Sequence, residues 1–376
     1  MDSSSHQVLI LAGEASGDIH GAGLARALRE RLPGVRLRGT GGPRMAAAGV
    51  DLLAGLDELG RMGLVEVLSH LPALLRLERT LIRVLEEGSI ALVVLVDHAG
   101  MNLRLLRHAS SRGIPALYYI PPKVWAWGGD RVRDLAEHAS AVAAILPFEE
   151  AFLRAKGVNA TFVGHPLLDG DPGAPSREEF CAATALDPER PILALMPGSR
   201  RQELHRHIPL FLRTVARVRS SVPEVQPVVA RAHSVPGEAL RGCGLAVTDD
   251  AQGLLHHARA GLVKSGTGTL EAALAGLPHV VTYRLHPLTA FLARRLIHVS
   301  HVSLPNLVAG REVVPEFLQD EAIPERMGAI LLDLLDPSSP ARARQLEGLA
   351  EVRGRMGDPG VAERVAGMAA DLLRAG

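Results

Sequence analysis

Short apolar runs alternate with longer segments of helical periodicity along most of this chain. The runs do not alternate apolar with polar positions, so both faces of each predicted strand are buried. Such strands, separated by helices, are typical of parallel sheets covered by helices. The predicted strands lie at 7–13, 91–97, 115–120, 141–146, 160–164, 191–198, 226–231, 261–266 and 278–284.

The pattern occurs twice, before and after the polar, Pro- and Gly-rich segment "DGDPGAPSREEF" at 169–180. We therefore predict an α/β protein of two doubly wound, Rossmann-like domains that face each other across a cleft. The predicted domains are 1–168 and 169–345. Two helices at 346–376, interrupted at "GDPG", are expected to pack back toward the first domain.

Composition narrows the functional classes. The chain has 376 residues, 47% of them hydrophobic and 22% charged, with a formal net charge of zero. A neutral chain has no bulk attraction to nucleic acid, so none is expected as a partner. Cys181 and Cys243 fit neither a metal-binding spacing nor a disulfide framework, which favours a reducing compartment. Neither a signal peptide nor a run of ~18 apolar residues is visible, so we expect a cytoplasmic location.

Ligands of such sheets bind at the carboxyl ends of the strands, so the residues there are the candidates. The first tip, "LILAGEASGDIHGAGLARAL", predicts a helix that begins near Ile19 with Ser16 or Asp18 as its N-cap. Glu14 and Asp18 disfavour phosphate and favour sugar hydroxyls, and a purely structural turn is the alternative. The candidate sugar-binding residues are Gly13, Glu14, Ser16, Gly17 and Asp18.

The strand tip in "LALMPGSRRQELHRHIP" starts the second half of the pattern. Pro197 and Gly198 end the strand, and Ser199 is expected to cap the next helix. Arg200 then lies at the helix start, where its guanidinium can bind a pyrophosphate through two hydrogen bonds. The alternative is an ion pair between Arg200 and Glu203.

The segment "GLVKSGTGTLEAALAGLP" joins a strand to an apolar helix through small residues. Small residues leave backbone N–H groups open, and the helix dipole adds positive charge, so a diphosphate is the expected guest. Glu271 can accept hydrogen bonds from a ribose. The spacing matches neither a P-loop nor a dinucleotide fingerprint, and a capping box at Thr269 is the alternative. The candidate loop residues are Ser265, Gly266, Thr267, Gly268 and Thr269.

Two further segments carry large apolar side chains. The helical pattern at 61–88 has an apolar stripe flanked by arginines, which fits either core packing or an interfacial helix on anionic lipid. In "IPPKVWAW", Trp125 and Trp127 fit either the wall of a sugar or lipid pocket or a core plug. The candidate membrane-surface residues are Leu64, Val67, Leu68 and Leu71.

Ten short motifs occur in the order found in one known family. They are "AGEASGD", "GGPRM", "MGLVEVL", "VWAW", "LPFE", "VGHPL", "PGSR", "SGTGTLEA", "SLPN" and "PEFLQ". From residue 9 to about 320 the chain thus resembles the lipid-A-disaccharide synthases. The resemblance implies a B-type glycosyltransferase fold and a role in lipid A biosynthesis, with no metal or cofactor.

The resemblance also implies the reaction and its partners. Members transfer 2,3-diacylglucosamine from UDP-2,3-diacylglucosamine to the 6-hydroxyl of 2,3-diacylglucosamine 1-phosphate, giving a β-1,6 disaccharide and UDP. They associate peripherally with the inner-membrane lipid surface, and a homodimer is left open here. By analogy, Asn306, Glu316 and Gln319 line the UDP pocket with Arg200, the small-residue loop and Glu271.

An inverting transfer needs a base that takes the proton of the acceptor hydroxyl. Asp97 ends a strand predicted to be buried and aligns with the first aspartate of the family's Asp-x-Pro-Asp-Phe-Asn motif, so we predict that it is the base. The alternatives are Asp97 as the cap of the next helix and His98 as the base. Asn102 matches the motif too.

Two departures from the family pattern fall on the predicted acceptor side, whereas the donor-side motifs are nearly intact. Ala99, Gly100 and Met101 replace the Pro, Asp and Phe of that motif. Pro-Pro-Lys, ending in Lys123, replaces a Ser-Pro-Ser, and Lys123 is a candidate cation for the acceptor phosphate. The altered 97–102 loop keeps open a non-catalytic, membrane-bound binder of lipid or UDP-sugar. A second alternative is another UDP-sugar enzyme of the same fold, such as a UDP-N-acetylglucosamine 2-epimerase, which would not require the apolar surface at 61–88.

Overall fold

The computed structural model describes residues 6–55, 67–126, 129–170, 175–232, 234–285 and 300–375. Side chains in the helix that begins at Val67 are described from Leu75 onward. Trp127 and the membrane-surface candidate Leu64 therefore lie outside the described residues. The same holds for the side chains of the other membrane-surface candidates, Val67, Leu68 and Leu71.

The described chain alternates strands and helices for most of its length and ends in three consecutive helices. The strands are β1 (Gln7–Ala12), β2 (Arg36–Gly41), β3 (Asp51–Gly55), β4 (Ile90–Val96), β5 (Ala116–Tyr119), β6 (Ala141–Ala144), β7 (Ala160–Phe162), β8 (Ile192–Met196), β9 (Gln226–Ala230), β10 (Ala246–Thr248), β11 (Ala260–Lys264), β12 (His279–Tyr283) and β13 (Glu316–Leu318). The helices are α1 (Ala15–Arg31), α2 (Pro43–Ala47), α3 (Val67–Glu86), α4 (Ala99–Ser111), α5 (Asp130–His138), α6 (Pro147–Arg154), α7 (Arg177–Thr184), α8 (Arg201–Arg219), α9 (Ala251–His257), α10 (Thr267–Leu274), α11 (Leu304–Ala309), α12 (Pro324–Leu335), α13 (Pro340–Arg355) and α14 (Val361–Ala375).

Two compact units divide the chain. The first comprises Met1–Asp169 and Gly357–Gly376, and the second comprises Gly170–Met356. The predicted boundary lay between 168 and 169. The sequence placed both C-terminal helices in one segment, whereas in the structure α13 lies in the second unit and α14 in the first.

Each unit contains one parallel sheet. The first sheet has the strand order β3-β2-β1-β4-β5-β6-β7, and the second has the order β10-β9-β8-β11-β12-β13. The central strands are the apolar runs of the sequence, and Val8–Ala12 and Leu92–Val96 are fully buried. The predicted fold class, two α/β domains with parallel sheets, is confirmed.

The strands that the sequence did not predict lie at or next to the sheet edges. They are β2, β3, β10 and β13. β10 and β13 have three residues each, and β2 reads "RLRGTG", with two arginines and two glycines. Strands near an edge need less apolar surface, so their sequences lack the continuous apolar run.

The register of β1 and β4 aligns the ends of these two strands. Ala12 pairs with Val96, so the turn that begins at Gly13 and the turn that begins at Asp97 lie side by side. In the second sheet Met196 pairs with Val263, which places the ends of β8 and β11 together in the same way. The tips of the two central strands of each sheet are therefore neighbours.

The last helix belongs to the core of the first unit. Val361, Val365 and Ala369 of α14 are fully buried and share a core with β1 and β4. Asp169 caps this helix, since its carboxylate accepts hydrogen bonds from the N–H groups of Gly360, Val361 and Ala362 at 2.7–3.0 Å. None of the described helices is long and apolar enough to cross a bilayer.

Candidate functional site

The turn after β4 holds Asp97 and His98 in left-handed backbone conformations, with φ angles of +51° and +44°. A non-glycine residue in this region costs roughly 1–2 kcal/mol. The N–H of Asp97 donates to the carbonyl of Tyr119 at 2.9 Å. The carbonyl of Asp97 accepts from the Tyr118 hydroxyl at 2.9 Å and from Asn102 Nδ2 at 2.8 Å. These hydrogen bonds hold the strained turn in place.

The Asp97 carboxylate is half-buried and lies near charges of both signs. Burial raises the pKa of Asp97 above its usual value, and the nearby Glu14 carboxylate raises it further. The backbone N–H of His98 and the ammonium of Lys123 oppose this shift. A raised pKa makes a carboxylate a stronger proton acceptor, which suits a general base.

The structure does not support Asp97 as a helix cap. The N-cap position of α4 is His98, and its side chain makes no capping hydrogen bond. A Cβ on Gly13 would lie 2.6 Å from Cγ of the His98 ring, so only glycine allows the ring to lie against the first turn. His98 Nδ1 is buried and has no hydrogen-bond partner within the part of the chain that the structure describes.

Asn102 supports the strand ends from beneath. Its side chain is 1% exposed, and Nδ2 donates to the carbonyls of Val96 at 3.2 Å and Asp97 at 2.8 Å, with a longer contact to Leu11 at 3.5 Å. The amide thus ties the ends of β1 and β4 together. This position makes Asn102 a positioning residue for Asp97.

The helix after β1 begins four residues earlier than predicted. α1 starts at Ala15, with Glu14 as its N-cap in an extended conformation and without a side-chain cap. The predicted start near Ile19, with Ser16 or Asp18 as the N-cap, was therefore wrong, because both residues already lie in the first helical turn. Glu14 and Ser16 are exposed.

Asp18 is engaged inside the fold. Its carboxylate is 3% exposed and accepts hydrogen bonds from the N–H groups of Gly42, Arg44 and Met45 at 2.7–3.1 Å. It therefore connects α1 to the "GGPRM" segment. Gly17 lets α1 approach β1, since a Cβ there would lie 3.1 Å from that of Ala12.

A buried carboxylate orders the segment that contains Lys123 and Trp125. Glu149 is 2% exposed and accepts a hydrogen bond from Trp125 Nε1 at 3.0 Å. Its other oxygen accepts from the N–H of Leu146 at 3.0 Å. Burial raises the pKa of Glu149 to about 7, against the effect of these hydrogen bonds and of Lys123. Trp125 is half-buried and Lys123 is exposed.

In the second unit, the turn after β8 centres on Glu203. One carboxylate oxygen accepts from the N–H of Ser199 at 2.9 Å, and the other pairs with Lys264 Nζ at 2.9 Å. Burial works toward a higher pKa, but the hydrogen bond and charge of Lys264, the Ser199 N–H and the charge of Arg200 together hold the pKa of Glu203 below its usual value. The predicted cap was wrong, because Arg200, not Ser199, is at the N-cap position of α8.

Arg200 is exposed, and Glu203 makes its ion pair with Lys264 instead. Gly198 makes room for this carboxylate. Its φ is +122°, and a Cβ there would lie 2.4 Å from Glu203 Oε2. The Arg200 guanidinium is thus left at the surface beside the start of α8.

The loop after β11 leads into α10 through a glycine. Gly266 is the N-cap of α10 with φ +155°, and a Cβ there would lie 3.3 Å from Lys264 Nζ. Thr269 is fully buried and donates to the Gly266 carbonyl at 2.7 Å, so it is not the N-cap of a capping box. The Ser265 hydroxyl donates to the carbonyl of Val302 at 3.1 Å.

A cavity of about 270 Å³ lies at the carboxyl ends of β8, β9 and β11. Six of the predicted donor-binding residues line it, together with Lys264 and with an Arg231–Asp249 ion pair. The six are Gly198, Ser199, Gly266, Thr267, Gly268 and Glu271. Burial raises the pKa of Glu271.

Two further predicted donor residues, Asn306 and Glu316, lie in a hydrogen-bond network that supports this loop. Glu316 accepts from the Ser303 N–H at 2.9 Å and from Asn306 Nδ2 at 2.8 Å, and its second oxygen accepts from the N–H of Val302 at 2.9 Å. Asn306 is fully buried. Gln319 has φ +51° and its side chain accepts weakly from a backbone N–H at 3.3 Å. Through Val302 the network reaches the small-residue loop.

Sequence reasoning missed Glu149, Asp169 and Lys264. The chain has only three lysines among its 41 basic residues, and one of them ends a central strand. That position was a usable signal for Lys264. Glu149 also has a local signal, since it is the third residue of α6 and accepts from the N–H of the N-cap residue Leu146. No local signal marks Asp169, because its first partner, Gly360, lies 191 residues away.

Comparison with known proteins places these motifs in one family. A model of the lipid-A-disaccharide synthetase family matches residues 8–351. The lipid-A-disaccharide synthase of Geobacter sulfurreducens is 39% identical over 380 residues, covering 99% of this chain and 98% of its own. That of Anaeromyxobacter sp. is 40% identical over 376 residues, covering 98% of each chain.

Solved structures share the fold at lower identity. A putative UDP-N-acetylglucosamine 2-epimerase from Listeria monocytogenes matches with a TM-score of 0.65 and 15% identity, covering 96% of this chain and 95% of its own. The calicheamicin glycosyltransferase CalG4 matches with a TM-score of 0.62 and 18% identity, covering 99% of each chain. These likenesses show the B-type glycosyltransferase fold alone.

Proposed function

The chain belongs to the lipid-A-disaccharide synthase family, and from this membership we propose that it joins two acylated glucosamines into the lipid A disaccharide. The donor is a UDP-sugar and the acceptor is a lipid. In the full reaction, 2,3-diacylglucosamine passes from UDP-2,3-diacylglucosamine to the 6-hydroxyl of 2,3-diacylglucosamine 1-phosphate. The match along nearly the whole chain is the observation that carries this proposal.

The second unit is proposed to hold the UDP group. The start of α10 lines the cavity through Gly266, Thr267 and Gly268, together with Glu271. A helix N-terminus of this kind stabilises phosphate through its N–H groups and its dipole. Glu271 is then the partner of the ribose hydroxyls, and exposed Arg200 adds a cation at the surface.

The first unit is proposed to hold the acceptor and the base. Asp97 takes the proton of the 6-hydroxyl while that oxygen bonds to the anomeric carbon and the UDP oxygen leaves with its electron pair. The raised pKa of Asp97 and its neighbour Glu14 support this role. Exposed Lys123 is the proposed cation for the acceptor phosphate.

The described part of α3 supports a membrane-facing surface. Leu75 is 41% exposed, and Arg76 and Arg79 are exposed beside it, whereas Leu81 is fully buried against the sheet. An exposed leucine among arginines suits the surface of an anionic bilayer. We propose that α3 and the segment before it rest on the inner membrane. The homodimer stays a prediction.

Turnover of the purified protein in detergent micelles tests the proposal. With the acylated donor and acceptor we expect disaccharide and UDP in equal amounts. Epimerised product from UDP-N-acetylglucosamine would identify an epimerase instead. Binding of UDP without any turnover would identify a non-catalytic binder. Co-sedimentation with anionic vesicles, but not with neutral ones, tests the α3 surface.

A further inference from the structure

Lys264 occupies a position in the donor site that the predicted binding residues do not include. It is the last residue of β11 and directly precedes the small-residue loop. Its side chain is 14% exposed and lines the 270 Å³ cavity together with Gly266 and Ser199. An ammonium group thus lies at the wall of a cavity proposed to receive a diphosphate.

The known partners of this ammonium leave it able to bind a ligand. Lys264 Nζ lies 2.9 Å from Glu203 Oε1 and 5.1 Å from the centre of the Tyr283 ring. An ammonium has three N–H donors. The Glu203 carboxylate accepts from one of them, and the Tyr283 ring interacts with the charge through a cation–π contact rather than a hydrogen bond. Donor capacity therefore remains for an anion in the cavity.

Two glycines make space for the Lys264–Glu203 pair. A Cβ at Gly198 would lie 2.4 Å from Glu203 Oε2, and a Cβ at Gly266 would lie 3.3 Å from Lys264 Nζ. Both glycines have positive φ angles, +122° and +155°. A largely buried ion pair is weak evidence for stability, because the desolvation of both charges offsets much of their attraction. Its place between two ligand-facing loops favours a role in binding.

We propose that Lys264 is a further donor-binding residue, whose ammonium contacts the diphosphate of the UDP-sugar and stabilises the charge that develops on UDP as it leaves. Glu203 holds the ammonium in place before the donor arrives. The proposal rests on the proposed function in taking the donor to be a nucleoside diphosphate sugar. Lys264 transfers no proton: the bond between the anomeric carbon and the phosphate oxygen breaks with its electron pair on UDP.

A charge at the leaving group acts more strongly in a site that excludes water than at the surface. Removing the Lys264 ammonium should therefore weaken ligand binding in proportion to the phosphate charge of the ligand. A purely structural ion pair predicts something different, because a distorted site would weaken uridine and UDP alike. The comparison of these two ligands separates a direct contact from a structural role.

The test is calorimetric binding of UDP and uridine to Lys264→Met, with Lys156→Met as the matched control. Lys156 is exposed in the first unit and is not part of the donor cavity. We expect Lys264→Met to weaken UDP by about 10- to 100-fold and uridine by less than about twofold. Lys156→Met should change neither. Lys264→Arg, which keeps the charge, should recover most of the UDP affinity.

Each remaining outcome has one meaning. Equal losses of UDP and uridine affinity in Lys264→Met, or no loss of either, would overturn the role of Lys264 and leave the donor assignment standing. A wild-type protein that does not bind UDP would overturn the donor assignment itself. If Lys264→Met does not fold, Lys264→Gln decides, since it removes the same charge and should weaken UDP more than uridine. Equal losses of UDP and uridine affinity in Lys264→Gln would contradict the proposal.

Discussion

The turn after β4 and the turn after β11 are built from the same parts, a central parallel strand followed closely by a helix, and they carry opposite charges. The first turn begins at Asp97, whose pKa the nearby Glu14 carboxylate raises. The second turn follows Lys264, the last residue of β11, and Gly266 is the N-cap of α10. One turn suits a proton acceptor and the other suits an anion.

The difference extends to the backbone. Asp97 and His98 take left-handed conformations that are unfavourable for residues with a Cβ. In the second turn the residue with a positive φ is a glycine, Gly266. A side chain is indispensable at a base, so the first turn tolerates strain. At an anion site the backbone itself binds, so glycine is the better residue there.

The largest effect should come from removing the carboxylate at the first turn. Asp97→Asn is expected to lower the rate of disaccharide formation by about 10²–10⁴-fold, the usual contribution of a general base. UDP affinity should stay unchanged, because the donor site lies on the other unit. Rates come from single-turnover assays and affinities from calorimetry.

Asp371→Asn is the control for this change, since the Asp371 side chain is 73% exposed on α14. A rate within about threefold of wild type for Asp97→Asn would remove Asp97 as the base and break the comparison between the two turns. His98 would then be the next candidate.

A smaller effect is expected from adding one methyl group at the second turn. Gly266→Ala should weaken UDP binding by about tenfold, equivalent to roughly 1.4 kcal/mol, because the new Cβ would approach Lys264 Nζ to 3.3 Å. Gly276→Ala is the matched control at the other end of α10, with φ +70° and no atom near its Cβ. Both variants should lose thermal stability, but only the first should lose UDP affinity. If Gly266→Ala and Gly276→Ala bound UDP with equal affinity, the turn at Gly266 would have only a structural role.

The smallest effect should be a shift in pH dependence at the first turn. Asp97 must be ionised to act, so kcat/KM should fall as the pH drops through its raised pKa. Glu14→Gln removes a charge that raises this pKa, so the acid limb should move to lower pH. Lys123→Met removes a charge that lowers it, so the limb should move to higher pH. Each shift is expected to be within about one unit.

Profiles of kcat/KM against pH for the two variants check the signs. Lys156→Met, an exposed lysine at a different position, should leave the limb in place. If the acid limbs of Glu14→Gln and Lys123→Met moved in the same direction, Asp97 would not be the group whose ionisation the profile reports. If the two acid limbs moved in opposite directions, as expected, this would support Asp97 as the general base at the first turn.

The sequence predicted the central strands and the residues at their tips well, because continuous apolar runs depend on burial alone. It predicted the helix starts poorly. Ser16 and Ser199 are good capping residues, yet Glu14 and Arg200 hold the N-cap positions. A cap depends on the backbone angles where the chain leaves the strand, and these angles follow from the packing of the whole sheet.

By itself the sequence determined the two parallel sheets, the positions of Asp97 and of the small-residue loop, and the family, since all of these follow from local patterns. Only the tertiary structure decided the partners of the polar groups. Asp18 binds the "GGPRM" segment, and Glu203 pairs with Lys264. Such pairs join residues far apart in sequence, and a buried polar group takes whichever partner the packed elements bring within about 3 Å.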